Sequence, residues 1–410
     1  GEKTQKNVQD AIEFKLKNQG SRLFAQIEPY AKQVTEKLKK AFPNEKMELT
    51  GEFLRELEVI NKLEFVTTVS QTELIDFLIL ESFEIVSELA NEVIFSSPES
   101  VQFQFHLVDH DVFEERHFAT SSSVEFLQRS LEIRNKDESQ TRIHLKIPNF
   151  LREDPSIFER DFSSAVITVQ DIRGIIHCHS DWSDGSSSIP ELAEACIQKG
   201  LEYLVMSDHS KTAFYAKGLS EERVLAQQEF IDELNKKYAP FKIFKSIESD
   251  ILNDGSLDYS NEILSRFDLV IASVHSNLKM TEQKAMARLI AAIENPYTTI
   301  LGHMTGRLLL SRKGYPIDHK KIIDACAANK VVIELNAHPR RLDMDWRWIP
   351  YALDKGVIIS IDPDAHYISG FEDLRFGVMA ARKGGLTKES NLSSFSAIEF
   401  ETYLSHLHKH

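Results

Sequence analysis

From Asp171 onward, short apolar runs alternate with amphipathic stretches in a steady rhythm. Runs at 174–176, 203–206, 242–247, 269–274, 298–301, 331–335 and 357–361 are short, bounded by polar residues and rich in Ile, Val and Leu, the pattern of buried strands. Between them, apolar positions recur at three- and four-residue steps over 190–199, 221–237, 282–294, 319–329 and 348–355, which predicts helices. Pro190 suits a first helical turn, and Gly200 and Gly356 suit helix ends. Seven strand-then-helix units in about 240 residues imply parallel strands with crossover helices, either rolled into a barrel or left open and doubly wound.

The chain before residue 165 follows another pattern. Ala11, Ile12, Phe14, Leu16, Leu23, Ile27, Tyr30, Ala31, Val34 and Leu38 keep helical spacing through residue 42, until Pro43-Asn44 ends it. Mixed segments follow, β-like at 64–70 and 101–108, helix-like at 73–80, with a polar loop at 120–123. An acidic, turn-rich stretch with Pro155, 151–161, reads as a linker. This part is expected to be α+β.

Composition narrows the class. A chain of 410 residues, 42% apolar and 27% charged, is long enough for roughly two or three folded domains and too apolar for wholesale disorder. No stretch approaches the roughly 18 apolar residues of a membrane helix, so no membrane partner is expected. No signal-peptide pattern opens the chain, and Cys178, Cys196 and Cys326 lie too far apart for a disulfide framework or a thiolate zinc site. A cytoplasmic setting is therefore expected, and Gly1 in place of Met suggests sequence upstream. The net charge of −15 disfavours a protein whose task is to hold duplex DNA. Residues 51–100 alone carry 11 acidic groups against Arg55 and Lys62. No basic, aromatic-interleaved groove for a nucleic-acid strand is evident.

Metal-capable residues follow nearly every predicted strand. His177 and His179 come after the first, with Asp184 in the next loop, and His209 after the second. Glu248 ends the third, His275 the fourth, His303 the fifth, and the seventh leads into Asp364 and His366. The sixth offers only Asn336. Closing the sheet into a barrel would bring all these strand ends to one face, which favours the barrel over the open sheet. Six imidazoles and three carboxylates exceed one tetrahedral ion and suit two or three divalent ions sharing carboxylates. Mixed nitrogen and oxygen donors fit zinc, manganese or iron; calcium would want oxygen alone. Strand alternation would aim His177 and His179 the same way and turn Cys178 outward as a packed thiol. His106, His110, His117, His144, His319, His338, His406, His408 and His410 are read as ordinary polar or tail residues. Lys211, Arg307 and Arg341, close to the same strand ends, are the candidate phosphate-binding cations, with Arg307 and Arg341 preferred as clamps. Asp208 and Asp362 are expected to orient ligands. A hydroxide generated by the ions would serve as nucleophile, so no Ser or Cys nucleophile is needed.

The segments His177-Cys-His-Ser-Asp-Trp-Ser-Asp-Gly185, Ser207-Asp-His-Ser210, Ile247-Glu248, Ser273-Val-His275, Gly302-His303 and Asp364-Ala-His366 resemble the ordered motifs of the PHP (polymerase and histidinol phosphatase) family. The resemblance spans roughly residues 170–390 and implies a distorted (β/α)7 barrel holding three divalent ions. It implies one ion on His177, His179, Glu248 and Asp364, a second on Glu248 with His275 and His303, and a third on Asp184, His209 and His366. Gly302-His-Met-Thr-Gly-Arg307, Glu334-Leu-Asn-Ala337, Arg341-Leu-Asp343, Asp250-Ile-Leu-Asn-Asp-Gly-Ser-Leu-Asp258, Leu151-Arg-Glu-Asp154 and Gly1-Glu-Lys-Thr4 are similar to the branch that ends bacterial family X DNA polymerases. Pro363 departs from that branch, which more often has Ser or Thr there.

The resemblance implies a helical segment over 1–42, a degenerate polymerase palm- and thumb-like region over 43–150, a linker over 151–170 and the barrel over 171–395. Family X polymerases carry a Gly-Ser pair, an Asp-x-Asp and a third Asp. Here Gly51-Glu52, Lys62 with Glu64, and Gln104 stand at those positions, and Ala119-Thr-Ser121 replaces a nucleotide-binding Thr-Gly-Ser. A two-metal nucleotidyl site needs carboxylates that a lysine and an amide do not supply, so polymerase activity is expected to be lost. The implied function is metal-dependent 3′–5′ exonuclease or 3′-end processing on DNA. Alternatives are a phosphomonoesterase for a small metabolite such as histidinol phosphate, or a first half that is only a binding module.

Overall fold

The computed structural model describes residues 18–136, 147–160 and 165–407. Residues 1–17, His144, His408 and His410 lie outside the described residues. The chain divides into two compact units, one built from the residues up to Asp161 together with Leu309–Ser311, the other from the remainder.

The first unit is α+β. Its helix Phe24–Ala41 buries Phe24, Ile27, Ala31, Val34 and Leu38, one stripe at the predicted spacing. Strands β1 (Arg22–Leu23) and β3 (Val59–Ile60) form a short antiparallel pair. A five-stranded sheet in the order β2-β4-β7-β6-β5 is made of β2 (Met47–Thr50), β4 (Leu63–Thr67), β5 (Glu84–Leu89), β6 (Glu92–Ser96) and β7 (Gln102–Leu107). Only β4 and β7 run parallel, which sets Glu64 directly opposite Gln104. Phe65, Phe95, Phe103 and Phe105 fill the buried face of the sheet.

Helices Phe113–Thr120 and Val124–Lys136 flank the stretch expected as a polar loop. Only its last residues are loop, and Ser123 Oγ accepts from Phe126 N at 3.0 Å to open the second helix. The stretch expected as a linker is packed structure over its described residues. Phe158 meets Phe126 with ring centroids 4.9 Å apart, Leu151 and Ile157 are buried, and Arg152 donates to Ser121 Oγ at 2.8 Å.

The second unit is a seven-stranded, all-parallel sheet. Its strands are β8 (Gly174–Cys178), β9 (Tyr203–Met206), β10 (Lys242–Asp250), β11 (Leu269–Ser273), β12 (Ile300–Leu301), β13 (Val332–Asn336) and β14 (Ile359–Asp362), in sequential order. The first and last strands meet beyond the end of β14. His179 N donates to Ala365 O at 2.8 Å and Ala365 N to His177 O at 3.2 Å, which closes the sheet into a barrel at its carboxyl end. β12 starts later than expected because Thr298 belongs to the preceding turn, its Oγ1 donating to Ala292 O at 2.6 Å, while Thr299 already bonds to Val270 and Val332 of the neighbouring strands.

Helices of the crossovers start and stop on local chemistry. Ser188 and Glu191 cap Ile189–Gln198 reciprocally, with Pro190 in its first turn, and Gly200 at φ +75° follows its end. The amino-terminal end of the barrel is filled by Tyr203, Phe244, Leu269 and Val332. Helix Ala397–Leu407, beyond the boundary expected at residue 395, packs Phe400 against Tyr203 at 4.7 Å. The opposite, carboxyl end is left to polar groups.

Candidate metal centre

The nine side chains at the strand ends gather in one place. Glu248, 1% exposed, lies at the middle. Its Oε1 is 3.2 Å from His177 Nε2, 3.1 Å from His275 Nε2 and 3.1 Å from His303 Nε2; its Oε2 is 3.0 Å from His209 Nδ1. Asp364 Oδ1 is 3.1 Å from His179 Nε2, and Asp184 Oδ1 is 3.4 Å from His366 Nε2 and 3.6 Å from His209 Nε2. Donor atoms within 4.8 Å of one another form three groups: His177, His179 and Asp364; His209, Glu248 and His275; and His179, Asp184, His209 and His366. Compared with the sharing that the resemblance implies, His209 leans on Glu248 as well as Asp184, and His179 sits between two groups.

Backbone irregularity puts His177 here. The β8–β9 register slips between Ile175 and Cys178, and His177 adopts φ +60°. Plain strand alternation therefore does not aim the two imidazoles, as the sequence had suggested; a bulge at His177 does. Cys178 is nonetheless a buried, free thiol. Asp364, across the closing contact, is also left-handed at φ +50°. Left-handed non-glycine backbone costs on the order of 1–3 kcal/mol and collects where a site needs it.

The electrostatics are those of a charge cluster that is buried at Glu248 and opens to solvent at Asp184 and His366. Burial opposes the ionised form of Glu248, but His275, His177 and His209 outweigh it and hold its carboxyl well below the usual range. Burial likewise opposes protonation of His275, yet Glu248 and Asp250 raise it to about 10. His366 is raised to about 9 against its burial, by Asp184 and Asp364. Burial and the neighbouring His209 drive His179 down to about 3. Buried His177 Nε2, His179 Nδ1, His209 Nδ1, His303 Nδ1 and Glu248 Oε2 make no hydrogen bond, although some stand 3.0–3.2 Å from an opposite charge. They are close without being aligned, and lone pairs of this kind suit a cation better than a proton.

The PHP domain family matches residues 176–338. This chain contains a PHP domain. It is 41% identical over 259 residues to the DNA polymerase/3′–5′ exonuclease PolX of Bacillus subtilis (strain 168), covering 63% of this chain and 45% of that protein. The chain thus spans less than half of that relative. A probable phosphatase of Thermoanaerobacter sp. (strain X514) is 26% identical over 218 residues, covering 51% of this chain and 84% of that one. A solved histidinol phosphate phosphatase of Lactococcus lactis, complexed with zinc, L-histidinol and phosphate, aligns at 18% identity and a TM-score of 0.41, covering 52% of this chain and 94% of that one.

Two of the three cations expected to grip phosphate face elsewhere in the PHP domain. Arg307 Nε donates to Arg341 O at 2.9 Å, its Nη1 to Asp345 Oδ2 at 2.9 Å, and its Nη2 to Leu342 O. Those bonds tie it to the loop after β13. Lys211 pairs with exposed Glu221 at 3.2 Å and lies over the Tyr259 ring. Arg341 alone faces the cluster, with Nε 3.5 Å from Asp364 Oδ2. Asp208 collects Ser180, Ser183 and Gln227 and so holds the loop carrying Asp184. Asp362 accepts from Ser360 Oγ at 2.6 Å and, among the described hydrogen bonds, orients no imidazole.

Reading the sequence missed the carboxylates that do orient imidazoles. His177 Nδ1 donates to Glu334, whose other oxygen accepts from His303 N at 3.0 Å, and His275 Nδ1 donates to Asp250. Both lie two residues along a strand, Asp250 from Glu248 and Glu334 from Asn336, which was the available signal. His319 stacks on Trp348 at 4.8 Å, and His338 Nδ1 accepts from Arg340 N at 3.2 Å; His338 is in none of the three donor groups, although the charges of Asp364 and His366 reach it.

Proposed function

We propose that the PHP domain is a metal-dependent phosphoesterase, and that it removes or trims nucleotides at DNA 3′ ends. The observation that carries the reading is the convergence of nine donors, seven of them buried or nearly so and Asp184 and His366 at the open side, with five unbonded lone pairs at one barrel end. Three divalent ions, zinc, manganese or iron, would be held by His177, His179, Asp184, His209, Glu248, His275, His303, Asp364 and His366. Ions so bound supply an activated water and neutralise charge on a phosphoryl oxygen. The chain contributes the rest. Glu334 and Asp250 fix the tautomers of His177 and His275 by accepting from Nδ1, which leaves Nε2 as the donor atom to a cation. Arg341, 19% exposed at the cluster, is the cation for a substrate phosphate, and Arg307 positions it through its carbonyl.

DNA as substrate is supported by the 41% identity to the Bacillus protein. The first unit contributes no nucleotidyl transfer in this reading. Lys62 Nζ donates to Gln104 and pairs with Glu64 at 3.3 Å, so the cation-binding positions hold a cation already. The second reading, a phosphomonoesterase of a small metabolite, is favoured by the similarity to the Thermoanaerobacter phosphatase. The test is a 3′-labelled single-stranded and nicked DNA assay with manganese-loaded protein, beside a metabolite-phosphate screen. Shortening of DNA that Glu248→Ala abolishes supports the first reading. Intact DNA with phosphate released from a metabolite replaces it with the second.

A further inference from the structure

The loop that follows His209 is built as a fixed projection. Its ends are tied to the metal-capable residues: Leu219 N donates to His209 O at 2.9 Å and Ser210 N to Glu248 O at 3.0 Å. Thr212 anchors the outgoing limb, with its hydroxyl 2.7 Å from Asp250 Oδ2 and its backbone N donating to Asp258 Oδ2 at 2.7 Å. The returning limb is held by Arg223, which donates to Lys217 O at 2.7 Å and also to Trp182 O. Gly218 permits the closure, because a Cβ there would stand 1.9 Å from Ser210 O.

Between these anchors, a tight turn at Phe214–Ala216 presents two aromatic rings to solvent. Phe214 is 83% and Tyr215 64% exposed, with centroids 6.1 Å apart. On a loop that is pinned on both sides, two neighbouring rings this exposed form a surface open to a partner. Exposed Lys211 and Lys217 flank them, so the segment Lys211-Thr-Ala-Phe-Tyr-Ala-Lys217 interleaves basic and aromatic groups in an otherwise acidic chain. Tyr215 lies within the field of the cluster: besides burial, the negative charge of Asp250, Glu248 and Asp184 pushes its phenol up to about 12, with Arg341 acting the other way.

We propose that Phe214 and Tyr215 are a stacking platform for the last bases of a single-stranded DNA end, with Lys217 beside its phosphates. The inference rests on the reading of DNA ends as substrate. Every base has a π face, so such a platform accepts any sequence, and single-strand binders combine stacked aromatics with basic side chains in this way. It also supplies what the amino-acid pattern alone did not reveal, a basic and aromatic surface at the mouth of the barrel.

Fluorescence anisotropy on the full manganese-loaded chain tests this. The probes are a short 5′-labelled oligothymidylate with phosphorothioate terminal linkages, and the same oligomer with abasic residues at its last positions. The wild type is expected to bind the intact oligomer about tenfold more tightly, as stacking of a base or two allows. F214A/Y215A should erase that preference, and the ring-retaining pair Phe214→Tyr with Tyr215→Phe should keep it. Equal binding of the two oligomers by the wild type, or a preference that survives in F214A/Y215A, overturns the platform. The same protein is assayed for cleavage of the unmodified oligomer. A base preference without cleavage sinks the hydrolase reading while the platform stands, and cleavage without preference does the reverse.

Discussion

The PHP barrel and the five-stranded sheet of the first unit each bring charged side chains from neighbouring parallel strands together, and the two clusters end differently. On β4 and β7, Glu64 has Lys62 at 3.3 Å and His106 at 3.4 Å, His106 meets Arg116 at 3.1 Å, and Gln104 donates to Glu92 at 2.5 Å. Burial opposes ionisation of Glu64, but His106 and Lys62 keep it below its ordinary range. None of these side chains has a buried polar atom without a hydrogen-bond partner. At the barrel mouth the charges are as dense, yet five ring nitrogens and carboxylate oxygens are left unbonded. Density of charge is shared by an ion-pair network and a metal centre. Unspent lone pairs distinguish them, because an opposite charge supplied by the chain removes the need for one from solution.

The largest effect should come from the group on which the barrel cluster converges. Glu248→Gln keeps the shape and an acceptor oxygen but removes the charge that five imidazoles face. Loss of a single preorganised charge-stabilising group costs on the order of a hundred- to thousandfold in rate, and more is expected where metal is lost as well. Elemental analysis and phosphoesterase assay of one sample would check both. A variant with full metal content and full activity would show that the convergence is structural.

Next is removal of metal. Calorimetry should show the transition of the second unit falling on chelation and that of the first unchanged. A ligand at a hundred times its Kd contributes about 2.7 kcal/mol, which corresponds to roughly 5–10 °C in a unit of this size. The metal-free protein should also lose stability as pH rises. His275 and His366 are raised to about 10 and about 9, so the stability they contribute is complete below about 6.5 and is lost as pH climbs through 9–10. Bound ions replace those protons, so the loaded protein should be flatter over that window. Matching slopes for the two forms would mean that protons and metal do not compete here.

The barrel was legible from sequence because its strands are buried runs, and all but the sixth lead directly into a metal-capable residue. That pattern located all nine converging side chains. It did not reveal how His177 is aimed, since a bulge is a backbone event with no period to read. Nor did it reveal the direction of Arg307, which depends on the carbonyls that the loop after β13 offers. The hairpin of β5 and β6 was missed because β5 exposes Ile85, Val86 and Leu89 on both faces and shows no alternation. Phe214 and Tyr215 were passed over because the loop that presents them is anchored at Asp250 and Asp258, far away in sequence.

A smaller effect belongs to the carboxylate behind His275. Asp250→Asn keeps a hydrogen-bond acceptor but removes the charge that fixes the imidazole. Loss of such an outer partner typically weakens metal binding 10- to 100-fold. The check is manganese affinity by competition with a chelating dye, where an unchanged value would make Asp250 a partner of Thr212 alone.

The smallest effect tests the other half of the comparison. Lys62→Met removes the cation beside Glu64 while keeping the length and bulk of the side chain. Lys62 is about a third exposed, so solvent screens the pair, and a loss of only about 0.2–1 kcal/mol is expected in the first unit's transition. The informative part is magnesium. If Lys62 takes the role that an ion would otherwise have, magnesium should shift the melting of Lys62→Met slightly and leave the wild type unmoved. An equal response of both proteins, or none in either, would mean that the sheet's carboxylate is satisfied by His106 alone and that the lysine is incidental.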